Sequence, residues 1–99
     1  MAKKYNNTWN CKKMNIDFTQ KQWRQDFAAF VREKLFWDMA MCTRAIVVNG
    51  NDKKNKIKEF NVYNNIGRSV SVKFCNNNKI ISSSDPNLIE NYLQERNVF

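Results

Sequence analysis

The chain predicts an α+β fold: a two-layer sandwich with one long helix packed on a four-stranded antiparallel meander and a short C-terminal helix. The sheet becomes five-stranded if residues 14–18 join it. Three observations lead there. Residues 20–42 repeat large apolar side chains at helical spacing. The next forty residues are β-branched or alternating, with Asn- and Gly-rich breaks between the runs. Asp85-Pro86 then opens a second apolar-striped segment.

In chain order, residues 1–11 form a polar arm that contains Tyr5 and Trp9, and residues 12–99 form the single domain. Met14, Ile16 and Phe18 alternate with Asn15 and Asp17, the period of a short strand. Thr19 and Gln22 read as a capping box, with Phe18 and Trp23 as the hydrophobic staple around it. Trp23, Phe27, Phe30, Val31, Leu35, Trp37, Met41 and Cys42 share one stripe, so the helix is expected to run to 40–42.

Ile46, Val47 and Val48 switch the signal to strand, and Asn49-Gly50 begins a long polar loop. A strand over 57–63 is followed by an Asn64-Asn65-Ile66-Gly67 turn. From 68 to 75, Val70, Val72 and Phe74 point one way while Ser69, Ser71 and Lys73 point the other, as in a sheet with one wet face. Asn76 to Asn78 turn the chain into a strand over 79–83. Asp85 caps the last helix, Pro86 takes its first position, and Leu88, Ile89, Tyr92 and Leu93 form its stripe.

Composition narrows the class. With 42% hydrophobic and 13% aromatic residues the chain is too apolar for disorder. The run Ala45 to Val48 is far short of the ~20 residues of a membrane span. The N-terminus lacks the apolar stretch of a secretory signal. Cys11, Cys42 and Cys75 are odd in number, widely spaced and form no CxxC, so neither a disulfide framework nor a zinc finger is expected. These readings place the protein in a cytoplasm, its own or a host's, with no membrane partner. Abundant Asn, Lys and Ile suit an A/T-rich genome such as many phages have. Oligomeric state is not legible.

There is no histidine, which removes histidine-based nucleophile activation and imidazole zinc sites. The nine acids show no DxD-type grouping, and the two glycines stand far apart, so no phosphate-binding glycine loop is present. The expectation is a non-enzymatic protein with no metal and no cofactor.

What remains is binding. The net charge is +8, and residues 49–83, with seven basic and two acidic side chains, hold +5 of it. Lys53, Lys54, Lys56 and Lys58 in or beside one loop, with Tyr63, Arg68, Lys73 and Lys79, form the candidate nucleic-acid site. Lysines would hold phosphates there while Tyr63 stacks a base. A lysine-rich loop is also an ordinary solvated loop, and edge lysines discourage strand pairing.

Lys34 and Asp38 lie one turn apart within the apolar stripe, either as a paired or snorkelling rim or as a notch that a partner completes. Phe36 points off that stripe, toward the side of Gln25, Arg32 and Thr43. With Met39 it would form an exposed patch unless Tyr5 or Trp9 covers it. The leading expectation is a basic module that binds nucleic acid or another phosphate-rich ligand. The alternative is a small phage-type protein that inhibits a host or defence factor, in the manner of an anti-CRISPR. It would set a basic surface against an acidic or nucleic-acid-binding protein, with Lys34, Phe36, Asp38 and Met39 at the contact.

Overall fold

The computed structural model describes residues 16–49, 56–75 and 79–96. Helix α1 spans Lys21–Leu35 and helix α2 Pro86–Glu95. Between them lie β1 (Met41–Cys42), β2 (Ile46–Asn49), β3 (Ile57–Tyr63), β4 (Ser69–Cys75) and β5 (Lys79–Ser83). All pairings are antiparallel. β3, β4 and β5 form the expected meander, and β1 and β2 pair in succession along the other edge of β3. Among the described residues the fifth strand is Met41–Cys42. Ile16 to Phe18 form no strand, although Ile16 and Phe18 are both buried; residues 14 and 15, like the arm, lie outside the described residues.

β1 and β2 behave as one strand interrupted at residues 43–45, where the register against β3 slips by one residue. Thr43 bridges the interruption. Its N–H donates to the Asn61 carbonyl at 2.9 Å, and its Oγ1 accepts the Asn61 N–H at 3.0 Å. The hydroxyl thus replaces a ladder carbonyl that the slip has turned away. At the other edge Ile81 is the extra residue of a bulge between the Lys73–Ser82 and Phe74–Ile80 pairs.

One face of the sheet holds the core. Phe60 and Val62 from β3, Val70, Val72 and Phe74 from β4, and Ile80 from β5 meet Phe27, Phe30 and Val31 of α1 and Leu88, Ile89, Tyr92 and Leu93 of α2. Phe18 sits at the centre, with ring centroids 4.8 Å from Phe60 and 5.9 Å from both Phe27 and Phe74. Strict alternation leaves the opposite face without a helix: Glu59, Asn61 and Tyr63 of β3 lie beside Lys73, Ser71 and Ser69 of β4.

The start of α1 differs from the expected capping box. Gln20, not Thr19, occupies the N-cap and gives no side-chain cap. Asp17 takes the organising role instead. Its Oδ1 accepts the Thr19 N–H at 3.0 Å and the Thr19 hydroxyl at 2.6 Å, and its Oδ2 accepts Gln20 Nε2 at 3.1 Å. Burial alone would raise the Asp17 pKa, but these hydrogen bonds outweigh it and hold the carboxyl below the usual aspartate value. Thr19 lies one residue before the N-cap, and Phe18 turns into the core.

The end of α1 also comes earlier than the stripe implied. Phe36 adopts a left-handed conformation (φ 57°, ψ 41°), and the N–H groups of both Phe36 and Trp37 donate to the Arg32 carbonyl. The chain reverses there, which carries Met41 and Cys42 into the sheet. Trp37 still packs against the core, as its place in the stripe implied.

The β3–β4 turn and α2 follow expectation. Asn64 is buried, and its Oδ1 accepts the N–H groups of Ile66 and Arg68 at 3.1 and 2.9 Å. Gly67 supplies the positive φ of 86°. Asp85 Oδ1 accepts the Leu88 N–H at 3.2 Å. Among the described residues no helix is long and apolar enough to cross a membrane.

Candidate functional site

Among the described residues, those predicted to bind nucleic acid divide between the two ends of the sheet. Lys53 and Lys54 lie outside the described residues. Lys56 is exposed just before β3. Lys58 is half-buried, takes the alternation of Phe60 and so faces the helix side, close enough to Asp17 to help hold its carboxyl charged. Lys79 pairs with Cys75 at this same end of the sheet. Tyr63 and Arg68 occupy the opposite end, six residues further along β3, or about 20 Å of extended chain. Lys73 is exposed on the helix-free face, and Glu59 stands directly opposite it in the β3–β4 register. Of this set, Tyr63 and Lys73 share the open face, with Asn61 between them.

The residues predicted to meet a protein partner also separate. Lys34 does not pair with Asp38, because the helix ends at Leu35 and Asp38 is no longer one turn above it. Lys34 Nζ instead reaches Glu95 of α2 at 3.0 Å and lies 5.4 Å from the centroid of the Phe30 ring. Asp38 is exposed and Met39 half-buried in the connection to β1.

Phe36 stands apart. It is 92% exposed, the most open large apolar residue described. Its backbone holds a conformation that costs an L-residue about 1–2 kcal/mol and that glycine adopts freely. Two local features that ordinarily disfavour an apolar L-residue therefore coincide on one residue. Strain of this kind clusters at functional positions.

Other exposed apolar side chains gather at the same end. Leu35 precedes Phe36, Met41 pairs with Tyr63 across the β1–β3 register, and Ile66, 73% exposed, tips the turn that follows Tyr63. A depression of about 460 Å³ lined by Leu35, Trp37, Arg68 and Ser69 joins the end of α1 to the base of that turn. Arg68 is its exposed cation. Phe36 is the most exposed of these apolar residues. Ile66 was readable beforehand as an isoleucine in an otherwise polar turn. Met41 and Tyr63 were not, since only the strand order makes them neighbours.

Metal chemistry finds no cluster of three or more ligating side chains among the described residues. Comparison with known proteins returned no matching family model, no curated protein of significant similarity and no solved structure of significant similarity.

Proposed function

We propose that the chain is a non-enzymatic protein-binding module that uses Phe36 as its anchor. One observation carries this reading: an almost fully exposed phenylalanine in a left-handed conformation at a helix end where glycine would be more stable. Aromatic anchors of this kind fill a partner's pocket and dominate binding energy, while apolar neighbours exclude water around them. Leu35, exposed beside Phe36 in the chain, supplies one such neighbour. The +8 charge would steer the module toward an acidic protein surface. The experiment is affinity capture from native-host lysate after nuclease treatment, with wild type and Phe36→Ala side by side. Proteins retained by wild type and lost in the variant support the reading; identical retention removes it.

The nucleic-acid reading keeps one specific support, the helix-free sheet face on which Asn61, Tyr63 and Lys73 lie together. There Tyr63→Ala should weaken single-stranded oligonucleotides more than duplexes, because stacking needs an unpaired base. Glu59 opposite Lys73 weakens that face for phosphates, and for this reason the protein-binding reading ranks first.

A further inference from the structure

A second concave surface runs between α1 and the β1 edge. It is a groove of about 510 Å³ with Ala28 and Ala29 of α1 and Ala40 on its floor and Cys42 on its strand side. Lys21 and Arg32 mark its two ends along the helix, and no acidic residue lines it. Both cations are exposed, and among the described residues neither engages an ion pair. They are eleven residues apart on α1, about 16 Å along the axis, which equals about five residues of extended chain.

The strand side of the groove is an open edge. Among the described residues β1 and β2 pair with β3 alone. The edge continues into Ile46, Val47 and Val48, which are all exposed, and no charged or proline residue within β2 guards it.

We infer that this groove receives an extended, acidic segment of a partner protein, which lies along the β1 edge and sets carboxylates against Lys21 and Arg32. The inference rests on the protein-binding reading and names the chemistry of the partner. The open edge offers main-chain groups to an added strand, and the alanine floor leaves space for its side chains. The two cations fix its charge and length. A nucleic-acid strand fits poorly, because the groove has no aromatic ring on which a base can stack.

The test uses the full chain and a fluorescein-labelled heptapeptide, Glu-Glu-Val-Thr-Val-Glu-Glu, followed by anisotropy at low salt. Two controls accompany it, the same peptide with lysine for glutamate and an oligothymidylate of equal charge. The acidic peptide should bind and the lysine peptide should not. Joint replacement Lys21→Glu and Arg32→Glu should weaken binding by about tenfold or more, since each reversal replaces an attraction with a repulsion. Ala29→Phe, at an exposed position, should fill the groove and abolish binding without lowering the melting temperature.

A second readout follows the Cys42 thiol in a variant whose other two cysteines are serine, where bound acidic peptide should slow alkylation. Phe36→Gly should bind the peptide as wild type does, so that failure of the groove and failure of the anchor are separable. Absence of peptide binding, binding indifferent to both groove variants, or equal binding of the oligothymidylate would each overturn the inference.

Discussion

Arg96, the residue that ends α2, grips Asp26 of α1 with two hydrogen bonds, Nε to Oδ2 at 2.9 Å and Nη2 to Oδ1 at 3.1 Å. Tyr92 adds a third, donating its hydroxyl to Asp26 Oδ2 at 2.7 Å. The guanidinium carbon also lies 4.9 Å from the centroid of the Tyr92 ring. This cluster is the polar lock between the helices, and it lies next to the aromatic contacts of Phe27 and Phe30 with Tyr92.

The lock makes stability depend on pH with a definite sign. Hydrogen bonding from Arg96 first, then from Tyr92, holds the Asp26 carboxyl below its ordinary value of 3.8. The contribution is fully present above that value and is lost as pH falls through it toward the lower folded-state pKa. Asp26→Asn should flatten this acid limb and cost about 1–2 kcal/mol near neutrality, a moderate effect because both charged partners are about one-third exposed. Urea unfolding at a series of pH values from neutral to acid, for both proteins, measures it.

Phe30→Ala should destabilise by about 3–5 kcal/mol, the usual range for a buried phenylalanine. Phe30 is buried, 5.2 Å from the Tyr92 ring centroid, and it carries Lys34 and Arg96 near its own ring. A thermal melt close to wild type would remove α1 from the core.

Thr43→Val keeps the shape of the side chain and deletes the hydroxyl that satisfies the Asn61 N–H. The loss should be about 1–2 kcal/mol, with the Thr43 and Asn61 amides exchanging faster while the β3–β4 amides stay protected. Amide hydrogen exchange followed by NMR reads both. Equal protection in the two proteins would mean that another group satisfies Asn61.

The elements with an unbroken local pattern were legible in the sequence. Val70, Val72 and Phe74 alternate with polar residues and are buried as that alternation requires. Asp85 and Pro86 open α2 as cap and first residue. The end of α1 was hidden because Trp37, Met41 and Cys42 continue the helical stripe although they reach the core from a loop and a strand. Local sequence cannot reveal that Phe36 takes a left-handed turn, since that position ordinarily signals itself with glycine or asparagine.

Thr19 misled for a related reason. Its hydroxyl suits a cap, but the helix begins one residue later, and Thr19 instead donates to Asp17 two residues earlier. In the candidate site, Phe36 was readable as an off-stripe aromatic. Lys34 was tied to Asp38 only by assuming that the helix went on, and its true partner, Glu95, comes from the far end of the chain. The groove needed the third dimension altogether, because Ala28 and Ala40 become neighbours only after the chain reverses at Phe36.

The central claim is that Phe36 is kept at a local cost because a partner needs its ring. Its most direct test is Phe36→Gly, with the melting temperature and recovery of the captured partner measured on the same preparation. Glycine removes about 1–2 kcal/mol of left-handed strain and adds about 0.5–1 kcal/mol of backbone entropy loss, a net gain of about 0–1.5 kcal/mol. The melting temperature should therefore hold or rise, by up to about 10 °C for a domain of this size. Partner recovery should fall to background. A variant that melts several degrees lower, or that recovers the partner undiminished, would contradict the account.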